Sequence, residues 1–161
     1  MENAVLFETL KQISQKLEKN KIDWVLGGSL CLLLHGIKTT PHDIDIQTRK
    51  KDAYKIMDLY KEFQVAPIKF GTCGNVRSHR GLFVINNTNI DVVGDLEFYY
   101  GGKWENFSEK RLKNKILTNM KGVIVPLAPL ETLRESYTAL GREGDKEKVR
   151  LIEERMSLKK S

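Results

Sequence analysis

The chain has 161 residues, 40% of them hydrophobic and 30% charged, with 12 Gly and 4 Pro. That suits one globular domain with a sizeable core and excludes collagen-like, mucin-like and wholly disordered chains. The net charge of +6 is unevenly placed: residues 1–102 carry 13 Lys/Arg against 12 Asp/Glu, whereas residues 103–161 carry 14 against 9. The basic excess of the last third suits either a phosphate, nucleic-acid or acidic partner or merely solvated helices and hairpin edges.

Apolar residues at helical spacing predict a first helix over residues 7–17, ending near Asn20. Residues 22–26 read as a strand stopped by Gly27-Gly28. A short helix follows over 29–35, with Ser29 as its N-cap and Gly36 as its stop. Residues 43–47 alternate with period two, as a half-buried strand does. The next helix is expected over 52–63, with Ile56, Leu59, Tyr60 and Phe63 turned inward. Residues 64–75 show no period, broken by Pro67, Gly71 and Gly74. Residues 81–85 and 90–93 form a hairpin around 86–89, and residues 111–117 and 123–125 a second around 119–122. Helices over 128–140 and 146–158 close the chain. The order predicts an α+β fold with a mixed β-sheet flanked by helices and a helical C-terminus.

No apolar run approaches the ~20 residues that cross a bilayer, and no basic region followed by a long apolar stretch opens the chain. A cytoplasmic protein without membrane association is the expectation. Cys31 and Cys73 make no disulfide framework, and with His35, His42 and His79 they lack the paired spacing of a zinc site.

Asp43 and Asp45 lie two apart in a strand, so their carboxylates leave the same face while Ile44 and Ile46 enter the core. Acidic pairs at this spacing arise by chance about three times in such a composition. What sets this pair apart is its apolar, β-branched strand, where charge demands compensation. Carboxylates held together repel unless a cation or proton lies between them, and Mg²⁺ takes such oxygen ligands. Asp91 repeats the pattern within Ile90-Asp91-Val92-Val93. If its strand neighbours that of Asp43 and Asp45, three carboxylates converge and can hold two divalent ions. Gly27-Gly28-Ser29, between a strand and a helix, allows close backbone approach to a polyphosphate; an ordinary capped turn reads the same.

The ordered set of Gly27-Gly28-Ser29, then Asp43-Ile44-Asp45 thirteen residues on, then Asp91, resembles the nucleotidyltransferase superfamily typified by DNA polymerase β. The nearest likeness is to its small members: minimal, toxin–antitoxin and antibiotic-modifying nucleotidyltransferases. The resemblance implies one nucleotidyltransferase-like domain over 1–161, its core at about 22–95 and a hairpin and helical extension at about 103–161. It implies that Gly27, Gly28 and Ser29 bind the nucleotide and that Asp43, Asp45 and Asp91 are the catalytic and metal-binding carboxylates of a two-Mg²⁺ site. The implied reaction moves a nucleoside monophosphate from a nucleoside triphosphate to an acceptor hydroxyl of a small molecule, protein or RNA, releasing pyrophosphate. A second copy or a helical partner protein would supply what the short chain lacks around an acceptor. The alternative is a non-catalytic nucleotide- or RNA-binding module of the same fold. Arg77 and Arg80 suit either phosphate contacts or plain surface charge, and Arg142, Lys146, Lys148 and Arg150 either an RNA acceptor or a solvated helix. The aromatic group Tyr99, Tyr100, Trp104 and Phe107 suits either base stacking or core packing.

Overall fold

The structure, a computed structural model, describes residues 3–160, with side chains as far as Leu158. In chain order it contains α1 (Ala4–Lys19), β1 (Trp24–Gly27), α2 (Gly28–Leu34), β2 (Asp43–Thr48) and α3 (Lys50–Leu59). A 3₁₀ turn (Lys61–Phe63) leads to β3 (Gln64–Cys73), β4 (Val76–Ile85), β5 (Thr88–Tyr100) and β6 (Lys103–Asn106). Then come α4 (Phe107–Lys113), β7 (Ile116–Met120), β8 (Val123–Leu127), α5 (Leu130–Leu140) and α6 (Asp145–Lys160). The strands make one mixed sheet in the order β3-β4-β5-β2-β1-β8-β7, with β6 added to β5. The β2–β5 and β1–β8 pairs are parallel and the others antiparallel. The α+β fold and its helical C-terminus are therefore as the sequence implies. Among the described residues, no helix is long and apolar enough to cross a membrane.

Spacing explains how α1 is held. Leu6, Leu10, Ile13 and Leu17 recur every three or four residues and are all buried in the main core. Burying a leucine contributes about 1.5–3 kcal/mol, so this stripe outweighs the weak intrinsic stability of a sixteen-residue helix. Ser14 Oγ donates to the Ile124 carbonyl at 3.0 Å, fixing α1 against β8. Lys16 and Lys19 face the negative helix end, and the chain turns out at Lys21 (φ 57°).

The strand β2 divides its side chains as alternation demands. Ile44 and Ile46 join the α1 leucines in the main core. Asp43, Asp45 and Gln47 leave the other face, which α4 and α5 partly cover: Arg111 of α4 donates to Gln47 Oε1 at 2.7 Å. β5 changes phase halfway. Ile90 and Val92 face the main core, whereas Val93, Leu96 and Phe98 face a second cluster built on Phe107. The shift is made at Asp95, which adopts φ 48° opposite a register break between Arg77 and His79 and accepts the Lys50 backbone N–H at 3.0 Å. The bulge thus starts α3 and turns the rest of β5 toward α4.

Several local expectations need correction. Ser29 does not cap α2; Gly27 is the N-cap, with no side-chain bond. Residues 64–75, without period, are mostly an edge strand, where Pro67 costs no inward ladder bond and two register breaks absorb the irregularity. Phe63 is exposed, because α3 ends at Leu59 and the following turn swings it out. Arg111 lies in a helix, since Asn106 Oδ1 accepts the Glu109 backbone N–H at 2.9 Å and starts α4. The second hairpin is shorter for that reason, β7 and β8 closing through Lys121 (φ 52°) and Gly122 (φ 87°). The first closes through Asn86 and Asn87, both left-handed, as a two-residue hairpin loop requires.

Candidate active site

Three neighbouring strands bring the sequence-predicted residues into one row. Gly27 ends β1 and pairs with Asp45 of the antiparallel β2, and Asp45 pairs with Asp91 of the parallel β5. Strand spacing of about 4.8 Å therefore separates the glycine turn from the first carboxylate and that carboxylate from the second. Asp43 stands two residues back along β2, opposite Asn89, and is exposed.

The glycines are required by what lies over them. A Cβ on Gly28 would sit 1.8 Å from Asp45 Oδ2, and the residue adopts φ 68°, a conformation that L side chains resist. A Cβ on Gly27 would sit 2.3 Å from Gln47 Nε2. The two same-face side chains of β2 thus lie directly over the two glycines. Ser29 follows, half-buried, and its carbonyl accepts the Thr39 hydroxyl at 3.0 Å, which pins the loop after α2 to the turn.

Asp45 is half-buried and accepts no hydrogen bond from any described residue. Burial, then the charges of Asp91 and Asp43, push its carboxyl up to about 7; Arg80 and Lys148 offset only part of this. Burial and Asp45 likewise push the Tyr137 hydroxyl upward. Asp91 is held by Arg80, whose Nε donates to Oδ1 at 2.5 Å. Among the described residues, no three His, Cys, Asp or Glu side chains are gathered as a preformed metal-binding group. A desolvated carboxylate with like charges as neighbours and no donor nevertheless fits a divalent cation, which would relieve both.

A cleft of about 620 Å³ opens from Asp45 and Asp91 across β4 toward the β3 edge. Its walls include Arg77, Arg80, Lys69 and Arg142, and none of Gly27, Gly28 and Ser29 lines it. The helical C-terminus reaches this region too: Lys148 lies 4.8 Å from the Tyr137 ring, and both sense the Asp45 charge. Arg77 stacks 4.2 Å from the Trp104 ring and pairs with Glu97. Phe107 is fully buried against Phe98 and Tyr100, so it is core, whereas Tyr99 meets Trp104 edge-on at the exposed strand end.

Sequence reasoning missed the support beneath the row. Arg111 is 1% exposed and donates to Gln47 Oε1, Thr132 Oγ1, the Thr132 carbonyl and Ser136 Oγ at 2.7–3.1 Å. It thereby fixes Gln47 over Gly27. The Asn106-x-x-Glu109 start signal, placing Arg111 one turn into a helix, was the available clue.

Comparisons with known proteins agree with this fold. A family model described as aminoglycoside-2″-adenylyltransferase matches residues 9–154. No curated protein matches the chain by sequence. A crystal structure of a Thermotoga maritima protein assigned as a nucleotidyltransferase is similar at 31% identity and TM-score 0.77, covering 89% of each chain. The structure of ANT(2″)-Ia in complex with adenylyl-2″-tobramycin shares the fold at 10% identity and TM-score 0.62, covering 96% of this chain and 91% of its own. A nucleotidyltransferase-like antigen of Paracoccidioides brasiliensis shares it at 16% identity and TM-score 0.51, covering 95% and 76%. With almost its whole length matched by the family model, the chain belongs to the aminoglycoside-2″-adenylyltransferase family and is a nucleotidyltransferase.

Proposed function

We propose that the protein transfers a nucleoside monophosphate from a Mg²⁺-bound nucleoside triphosphate to the hydroxyl of a small-molecule acceptor. The observation that carries this reading is the row of Gly27, Asp45 and Asp91 on three adjacent strands, with Asp45 receiving no hydrogen bond from the described residues. Asp43, Asp45 and Asp91 would hold the metal, whose chemistry is to neutralise charge on the transferring phosphoryl group and leaving pyrophosphate. The backbone N–H groups of Gly28 and Ser29 would bind the β- and γ-phosphates. Because α2 has only seven residues, close backbone contact matters more here than a long helix dipole.

The acceptor oxygen attacks the α-phosphorus, a new P–O bond forms, and the bond to the β-phosphate bridging oxygen breaks. The hydroxyl proton passes to a carboxylate oxygen of Asp91, and pyrophosphate leaves from the glycine turn. Asp45, between the two, would hold the metal beside the α-phosphate, and the apolar part of the cleft walls limits water as a competing acceptor. The family description and the neighbour holding adenylyl-2″-tobramycin favour ATP as donor and a small polyhydroxyl molecule as acceptor. Either a cytoplasmic monomer or a protein completed by a partner subunit accommodates this reading.

The test is pyrophosphate release with each nucleoside triphosphate, with and without Mg²⁺, over a panel of hydroxyl-bearing acceptors. Release that needs metal and acceptor, and is lost in Asp45→Asn and Asp91→Asn, is the expected result. Undiminished release by both variants would remove the reaction from these residues.

A further inference from the structure

Resting on that reading, we infer that the acceptor is anionic, a phosphorylated small hydroxyl compound and not a polycation of the aminoglycoside kind. The cleft supplies the observation. It leaves the Asp45–Asp91 row on the side away from Gly27 and Gly28, crossing β4 to β3. In-line displacement requires entering and leaving oxygens on opposite sides of the α-phosphorus. With the leaving pyrophosphate on the glycine turn, the acceptor therefore comes from the cleft.

Charge on its walls then selects the acceptor. Lys69, Arg77, Arg80 and Arg142 contribute four cations, and Asp45 and Asp91 are its only acidic lining residues among those described. Both acids belong to the proposed metal site, so they offer nothing to an ammonium group. Lys69 is exposed on the edge strand and makes no ion pair among the described residues. Arg142 and Arg80 have guanidinium side chains 59% and 57% exposed, each anchored by a single carboxylate residue. Arg80's anchor takes one oxygen of Asp91, and its half-exposed guanidinium already lines the cleft. Guanidinium groups bind phosphate through paired donors, and desolvation between low-dielectric walls strengthens the attraction. A polyammonium acceptor would meet Lys69, unpaired among the described residues, and the exposed guanidinium groups of Arg80 and Arg142, whereas Arg77 is already neutralised by Glu97. The apolar share of the walls, among them Phe70, Val93, Leu96 and Leu140, suits a compact carbon skeleton, and the volume lies in the small-molecule range.

The experiment is calorimetric titration of glucose 6-phosphate, glucose and tobramycin into the full chain saturated with Mg²⁺ and a non-hydrolysable nucleoside triphosphate analogue. Titration of the analogues of ATP, GTP, CTP and UTP comes first and selects the one used. Glucose 6-phosphate is expected to bind at least about tenfold more tightly than glucose or tobramycin. That preference should fall severalfold in Lys69→Glu, whose exposed position leaves folding intact, and in Arg142→Gln, checked by thermal unfolding. Tighter binding of tobramycin, or an unchanged preference in both variants, overturns the inference while leaving nucleotide transfer standing. Equal weakening of the nucleotide and glucose 6-phosphate in Lys69→Glu assigns these cations to the donor and also overturns it. Failure of the analogues of ATP, GTP, CTP and UTP alike to bind wild-type protein defeats the underlying reading, and the acceptor assignment with it.

Discussion

Two charged centres lie on the same face of β2, and they are built in opposite ways. Arg111 is buried and meets four neutral acceptors from Gln47, Thr132 and Ser136, with the Phe107 ring 5.5 Å away. Burial lowers its guanidinium to about 10, so it keeps its charge at neutral pH. Asp45, two residues before Gln47, is surrounded by Asp91 and Asp43 and has no donor among the described residues. Its carboxyl is pushed to about 7. A desolvated charge whose hydrogen-bonding capacity is met by the protein is scaffold, whereas a half-buried one with no protein donor is open to a cation from solvent. Gln47 joins the two, lying over Gly27 while held by Arg111.

Substitutions at the two centres should therefore differ in kind. Asp45→Ala is expected to lower nucleotide transfer by about 10²–10³-fold or more while the protein stays folded, measured as initial rate of pyrophosphate release. Arg111→Ala should instead destabilise the fold by about 3–5 kcal/mol, because it opens a cavity and strands the groups it held; denaturant unfolding reads this directly. Arg111→Met, which fills much of the volume, should recover part of that loss. Were Arg111→Ala as stable as wild type, the scaffold half of the comparison would fail.

Gly28→Ala probes the contact between turn and carboxylate. Its left-handed φ costs about 1–2 kcal/mol with any side chain, and the added methyl displaces Asp45 Oδ2. A modest drop in thermal midpoint with a disproportionate loss of transfer is the expected pair of results.

The smallest effect sharpens the contrast most. The Asp45 carboxyl ionises near 4 in an unfolded chain and about 7 in the folded one. Its proton thus favours the fold fully below pH 4, and that contribution disappears as pH rises through 7. Without metal, Asp45→Asn should melt about 2–4 °C above wild type at pH 8, the shift produced by about 1 kcal/mol in a chain of this size, with the gap closing toward pH 4. Added Mg²⁺ should raise the wild-type midpoint at pH 8 and leave the variant unmoved.

How much of this was legible follows from the range over which each signal acts. The alternation of Asp43, Ile44, Asp45 and Ile46 and the Gly-Gly break are local, and they located both β2 and the turn correctly. The pairing of Asp45 with Asp91 was a conditional expectation, since register between strands distant in sequence is set by core packing. The β5 bulge and the Arg111 network depend on groups brought from α3, α4 and α5, and no periodic pattern announces them. The segment around Arg111 reads locally as one arm of a hairpin, but the Asn106 cap starts a helix there. Arg77, Arg80 and Arg142 carry no local sign of facing one cleft; the β4 register and the α5–α6 corner put them there.

The most direct measurement is calorimetric binding of ATP, GTP, CTP and UTP with and without Mg²⁺, to wild type and to folded Asp43→Ala/Asp45→Ala. At least one triphosphate should bind wild-type protein only with Mg²⁺ and fail to bind the double variant. Metal-independent binding, or equal binding by the variant, would contradict the assignment of these carboxylates to the nucleotide site.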